Sequence, residues 1–521
     1  MKSLITLLLG SLLVCSIQAA KKPNIIIMMV DDLGYSDFGC YGSEIKTPNI
    51  DSLAANGIRF REFHNTAKCH SSRVSLLTGL YSDQAGDSKL NRGVTIAEVL
   101  KKSGYSTSMV GKWHLTKEPT DRGFEKYFGH LSGATNFFKG DDTFRLNGKP
   151  WSDFGDDFYT TDANIEFATR FLGESLKETP DKPFFLYIAH NAPHYPLHVR
   201  KEDYKKYEGV YDVGWDEIRK VRYQKQLEMG LIPNEWKLAP RPELVPAWED
   251  LTDKEKAWDS RRMTAFAGMV DRVDQTTGKL IKFLKEKGVY ENTLIMICSD
   301  NGACPFDRTK RAEKEPWDPD SYWCYDTGWS HVGNTPFRLH KQNQHAGGIN
   351  SPMIAHWPAG ITAKTGSITP QRAHLIDFMA TCIDLADTEY PKSWPGIELE
   401  PLQGLSLKPI FEGKTRDPHS SLFFRFATNR AIIQGDWKLV THRASQWELY
   451  NLAKDGTELN NLASQHPEKV TALSKLWHQQ ATEQGHLKGK VVVPVSEKTP
   501  PLLKKSGVPA KGKQGKGDGK R

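Results

Sequence analysis

No two of the seven cysteines stand at the Cys-x-x-Cys spacing of a thiolate zinc site. They are too sparse and irregular for a disulfide scaffold. Beyond the first twenty residues no apolar run approaches the ~20 residues that span a bilayer. No internal repeat is evident. A basic folded face is also missing, although the net charge is +7. Residues 488–521 hold ten Lys/Arg against two acids, a surplus of eight, which leaves the rest of the chain at −1. Nothing in that balance points to nucleic acid. The tail reads as a solvated, disordered segment, with a tether to polyanions as the sharper alternative.

What is present suits a soluble enzyme. Apolar residues make up 38% and charged residues 26% of 521, enough for one large domain and a smaller one. Lys2, the apolar run Leu4 to Val14 and the small pair Ala19-Ala20 read as a signal peptide over residues 1–20. The chain is therefore expected to be exported, periplasmic or secreted. Lipoprotein anchoring through Cys15 ranks second, because Val14 stands where a small residue is wanted. The cysteines left are Cys40, Cys69, Cys298, Cys304, Cys324 and Cys382.

The body alternates strand-like and helical patterns. Ile25 to Val30, Phe184 to Ala189 and Leu294 to Cys298 are continuous apolar runs, as in strands buried on both faces. Ser106 to Val110 and Pro352 to His356 are shorter candidates. Thr95 to Lys102 and Arg262 to Lys287 read as helices, closed by Gly104 and Gly288. This alternation predicts an α/β fold with a large, mainly parallel sheet between helices. From about Ser420, four short runs beginning at Leu422, Arg430, Trp437 and Trp447 predict a small antiparallel sheet, and Pro467 to Thr482 a helix. The expected organisation is a catalytic domain over 23–418, a C-terminal α+β subdomain over 419–487 and the basic tail.

Four strands run straight into polar residues. Val30 precedes Asp31-Asp32, Val110 precedes Gly111-Lys112-Trp113-His114, Ala189 leads to His190 and His194, and Cys298 leads to Ser299-Asp300-Asn301. Ligands of open α/β sheets bind beyond the carboxyl ends of the strands. Asp31, Asp32, Asp300 and Asn301 offer four oxygen ligands, a set for calcium or magnesium rather than zinc. Cys69 precedes a short helical stretch ending at Gly79, where the helix N-terminus favours an anion. A buried structural thiol is the commoner fate of a single cysteine.

Cys69, Ser72, Arg73, Leu77, Thr78 and Gly79 match, at its spacing, the signature of the type I sulfatases of the alkaline phosphatase superfamily, which this chain resembles. Ser71 stands where that signature has Pro or Ala. The resemblance runs from residue 23 to about 480, through Pro23-Asn24-Ile25, Asp31-Asp32-Leu33-Gly34, Thr47-Pro48-Asn49-Ile50-Asp51, Gly111 to Leu115, Ala192-Pro193-His194 and Ser299 to Gly302. It continues through Phe337-Arg338, Lys341, Gly347-Gly348, Trp437-Lys438-Leu439 and Glu448 to Leu452. So many blocks in order are far more specific than any one. Ala346 departs, standing where the family often has Glu.

The resemblance implies sulfate-ester hydrolysis on an alkaline phosphatase-like fold. Cys69 would be oxidised to formylglycine by a formylglycine-generating enzyme. The hydrated aldehyde attacks sulfur through one hydroxyl and expels sulfate through the other, where a thiol would be trapped as a stable ester. Asp31, Asp32, Asp300 and Asn301, with modified Cys69, would bind one calcium ion, magnesium being second. Arg73 and Lys112 would hold the nucleophile, His114 would be the base that releases sulfate, and His194 and Lys341 would contact the sulfate, one of them protonating the leaving oxygen. His190 and His198 are read as structural. A sulfated polysaccharide or oligosaccharide is the expected substrate. Residues 141–162, 197–255 and 305–340 are expected to line the pocket, with Trp151, Trp215, Trp236, Trp248, Trp317, Trp323 and Trp329 as candidate sugar-stacking rings. The alternatives are a phosphodiester or phosphonate monoester hydrolase of the same superfamily, and a catalytically silent glycan-binding protein.

Overall fold

The computed structural model describes residues 22–485. The segment read as a signal peptide, with Cys15, and the basic tail lie outside the described residues. Strands Thr293–Ser299, Asn24–Val30, Phe184–Ala189 and Ser106–Gly111 are consecutive parallel neighbours at the centre of a ten-stranded sheet. Their apolar runs are continuous because both faces are covered. Ile26, Met28 and Val30 enter one core, while Ile25, Ile27 and Met29 enter the other.

The edges differ from the parallel centre. Met353–His356 pairs antiparallel with Thr293–Ser299, and Phe144–Leu146 pairs antiparallel with Lys126–His130. The run at 353–356 carries no mark of its direction, since alternation and burial are the same either way. Helix Ile96–Lys102 is capped by Thr95, whose hydroxyl accepts the Glu98 amide at 3.1 Å. The long helix spans Asp253–Glu286, starting nine residues before the apolar periodicity does. Thr252 and Glu255 form a capping box ahead of a polar first turn, which hid the start from a hydrophobic pattern.

Strands Leu422–Phe426, Asn429–Gln434, Trp437–Thr441 and Glu448–Asn451 form an antiparallel sheet. Helix Pro467–Glu483 packs on it through Leu473, Trp477 and Ala481, in a cluster shared with Ala67, Tyr81, Ile349 and Ile376 of the main body. The small sheet therefore lies against the chain next to Cys69.

Five of the seven candidate stacking tryptophans are core. Trp215, Trp236, Trp248, Trp323 and Trp329 are buried, and Trp151 and Trp317 pack against the same cluster. Trp215 meets Trp248 at 4.8 Å and Trp329 at 5.9 Å, edge to face. The five buried rings are therefore packing residues and do not face a sugar.

Buried neutral histidines make the fold acid-sensitive. Burial pulls His190 and His198 from 6.5 to about 4, and His340 to about 3. The unfolded chain then binds more protons than the native one below its ordinary histidine value, so this stability is full above it and lost as pH falls. Asp259 and Asp274, raised by burial to about 7 and 6, act the other way but are outnumbered. The urea midpoint is expected to fall steadily between about pH 6.5 and about pH 4.5, and a flat profile would contradict it.

Candidate active site

Four parallel strand ends and one helix start converge. Asp31 and Asp32 follow Asn24–Val30, Lys112 and His114 follow Ser106–Gly111, His194 follows Phe184–Ala189, and Asp300 and Asn301 follow Thr293–Ser299. Cys69 is the first residue of helix Cys69–Thr78, which is buried along nearly its whole length. Ser72 pins this helix to the sheet: its hydroxyl donates to Asp300 O at 2.5 Å and accepts the Thr66 amide at 3.0 Å. Ser71 is also accommodated, with its hydroxyl on Lys68 O at 3.0 Å and 2.8 Å from Thr66 Oγ1.

The acidic groups are each held by one oxygen. Lys112 Nζ lies 2.5 Å from Asp31 Oδ2, the Asp32 amide donates to Asp300 Oδ1 at 3.1 Å, and Asn301 Nδ2 donates to Asp32 Oδ1 at 2.7 Å. Lys341 Nζ also pairs with Asp32 Oδ1. The other oxygens, Asp31 Oδ1, Asp32 Oδ2, Asp300 Oδ2 and Asn301 Oδ1, are buried without a hydrogen-bond partner. Arg73 Nη2 stands 3.5 Å from Asp300 Oδ2 and 3.6 Å from Asp31 Oδ2. Ligand atoms of Asp31, Cys69 and Asp300 fall within 4.8 Å of one another, as do those of Asp31, Asp32 and His194. Orphaned buried carboxylate oxygens are expensive. Three such carboxylate oxygens and one amide oxygen, at the ends of two neighbouring strands, fit a hard divalent cation.

Electrostatics follow from burial against a ring of cations. Burial would raise the Cys69 thiol, but Lys341, Lys112 and Lys68 bring it down to about 6. Burial also opposes ionisation of Asp32, yet Lys341 and His194 hold it at about 2. Asp300 goes the other way, pushed well up by burial and by Asp31. Burial, then Lys112 and Arg73, push His114 down to about 2; burial dominates in bringing His194 to about 4. Both imidazoles are thus held neutral. His194 Nδ1 donates to Tyr195 O at 2.7 Å, which leaves Nε2 facing Asp32 Oδ2 at 3.5 Å.

His114 has a left-handed backbone, φ 57°. Its ring fills the space over Gly133, where an added Cβ would lie 2.6 Å from Nε2. Gly133→Ala is therefore expected to displace His114 and to lower kcat ~10²-fold. Steady-state assay beside circular dichroism checks this, and unchanged kcat would contradict it.

The structure thus brings together Asp31, Asp32, Cys69, Arg73, Lys112, His114, His194, Asp300, Asn301 and Lys341. His190 is fully buried in the sheet, and His198 Nε2 donates to Ser321 O at 2.7 Å, away from this group. Sequence reasoning left out His70, whose ring stands edge-on to His114 at 6.0 Å while its Nε2 lies 3.3 Å from Asp87. It occupies the unrestricted position of the signature, which carries no signal. At Ala346 the amide donates to Glu458 Oε2 at 2.9 Å, and Glu458, fully buried, pairs with Lys438. A carboxylate from the loop after strand Glu448–Asn451 therefore meets the Ala346 amide.

Residues 23–388 match the sulfatase family model, and residues 339–485 match the family described as N-sulphoglucosamine sulphohydrolase, C-terminal. The chain belongs to the sulfatase family. It is 31% identical to an uncharacterized sulfatase of Schizosaccharomyces pombe, over 88% of this chain and 93% of that protein. It is also 31% identical to an arylsulfatase of Klebsiella aerogenes, over 77% of this chain and 95% of that protein. The solved structure of Ps i-CgsB in complex with k-i-k-neocarrahexaose superposes with a TM-score of 0.66 at 25% identity, covering 90% of this chain and 94% of that one. The sulfatase is accordingly an enzyme of sulfate-ester hydrolysis, on an alkaline phosphatase-like fold.

Proposed function

We propose that this sulfatase is exported and desulfates sulfated polysaccharides or oligosaccharides, with formylglycine made from Cys69 as nucleophile and one calcium ion beside it. The observation that carries the reading is the set of four orphaned oxygens, from Asp31, Asp32, Asp300 and Asn301, with ligand atoms of Asp31 and Asp300 within 4.8 Å of Cys69. Those residues would hold the ion, which when bound polarises the sulfate and acidifies the nucleophile. Formylglycine supplies a hydrated aldehyde, and so an oxygen nucleophile that can be regenerated.

The chain's own residues do the rest. Arg73 and Lys112 place positive charge beside residue 69 and hold it. Neutral His114 takes the proton from that side chain as sulfate leaves. His194 and Lys341 bind the sulfate, and one of them delivers a proton to the leaving oxygen. Cys69 is 1% exposed, so a formylglycine-generating enzyme must act before the helix is packed. Carbohydrate as substrate is supported by the relative whose structure holds neocarrahexaose.

Inorganic sulfate release from a panel of sulfated oligosaccharides, run beside matched aryl sulfate and aryl phosphate esters, tests the proposal. Sulfate from at least one sugar is expected. Turnover of phosphate diesters alone, or binding without release, would overturn it.

A further inference from the structure

The chain that leaves the acidic cluster does not end at the floor of the site. Ala303 O accepts the Lys341 amide at 3.2 Å, and residues 304–310 then run outward along the rim. This strap is firmly tied. Asp307 receives buried Arg262 at 3.2 Å and caps the Thr309 amide at 2.9 Å. The Arg308 amide donates to Cys324 Sγ at 3.0 Å, and the Cys324 amide donates to Thr309 Oγ1 at 3.1 Å. Lys310 and Tyr322 form an antiparallel bridge, and the Tyr322 ring packs 6.3 Å from that of Tyr195, the neighbour of His194. The strap therefore spans the rim between the Lys341 and His194 sides.

Two charges on it have no counterpart. Nearby Lys139, Lys314 and Arg311 are matched by Asp320, at 3.0, 3.1 and 3.9 Å, and Lys314 also by Asp318. Arg308 and Lys310 are exposed and have no carboxylate partner among the described residues. The Arg308 guanidinium rests instead on the Phe306 ring, 5.4 Å from its centroid, which limits its freedom. Its charge reaches inward: burial raises the Cys304 thiol and the Tyr195 phenol, and Arg308 opposes the rise at both.

A fixed guanidinium with free donors, one strap away from the sulfate-binding lysine, is suited to a second oxyanion. We infer that Arg308, assisted by Lys310, forms a second anion subsite that takes a negatively charged group on the sugar next to the one bearing the scissile sulfate. That group is a further sulfate or a uronate carboxylate. The inference rests on the sulfatase reading above and adds to it a selection among substrates.

Four probes separate the outcomes: an aryl sulfate, a sulfated disaccharide with a neutral neighbour, one with a sulfated neighbour and one with a uronate neighbour. Arg308→Gln is expected to raise KM about five- to tenfold only where the neighbour is charged, with kcat nearly unchanged. Arg308→Lys is expected to recover part of the loss, and added salt to reduce the wild-type preference. Loss on the sulfated or on the uronate probe identifies the anion. Equal loss on all four probes, or on none, overturns the subsite. A wild-type enzyme that releases sulfate from none of them defeats the sulfatase reading, and the subsite with it.

Discussion

Cys69→Ala is expected to lower sulfate-ester turnover by ~10⁴-fold or more, because in the proposed mechanism it removes the nucleophile and not a contact to substrate. Cys69 is small and 1% exposed, at the first position of a helix held by Ser72 and by the packing of Val74, Leu76 and Leu77. Loss of one sulfur atom there leaves those anchors intact, so unfolding in urea is expected to shift little. The pairing of results matters. Lost turnover with a native unfolding midpoint assigns chemistry to residue 69, whereas activity within tenfold of wild type would remove it from the mechanism.

Asp300→Asn is expected to lower kcat/KM by ~10²- to 10³-fold and to separate metal binding from folding. Asp300 is the carboxyl that burial and Asp31 push well above its ordinary value, so without a cation its charge is unwelcome. A neutral isostere relieves that repulsion and can keep the bond from the Asp32 amide. The metal-free variant is therefore expected to be at least as stable as the metal-free wild type. Added calcium is expected to raise the thermal midpoint of the wild type and to raise that of the variant far less. Equal gains in both proteins would place the ion elsewhere.

Much of this site was legible because strand ends announce themselves. Ile25 to Val30 is apolar on both faces and then gives way to Asp31-Asp32, and the same break recurs at Ser299-Asp300. One such pair alone reads better as a strand-end cap; the second pair, Asp300-Asn301 after a matching strand, shifts the balance toward a ligand set. The roles of His114, His194 and Lys341 were not legible in this way. Each is a single polar residue in a turn, and only the family resemblance gave it a task; the structure adds that His194 and Lys341 stand against Asp32 and that His114 lies within electrostatic reach of Asp31.

Other features depend on tertiary pairing, which no local pattern records. Seven tryptophans in polar segments looked available to sugars, but Trp215, Trp248 and Trp329 pack on one another instead. Arg308, Lys310, Arg311 and Lys314 form one basic run in the sequence. Only the fold distinguishes the two matched by Asp320 from the two left free of carboxylates. The start of the long helix at Asp253 was hidden for a related reason: its first turn is capped and polar, and its apolar face begins later.

The central claim is that residue 69 acts as an aldehyde and not as a thiol. Mass spectrometry of the tryptic peptide Cys69–Arg73, from protein made in its native host, tests it directly. The expected species carries an aldehyde at residue 69 that reacts with a hydrazide probe. A peptide with a free thiol at Cys69, from enzyme that nevertheless releases sulfate, would contradict the mechanism.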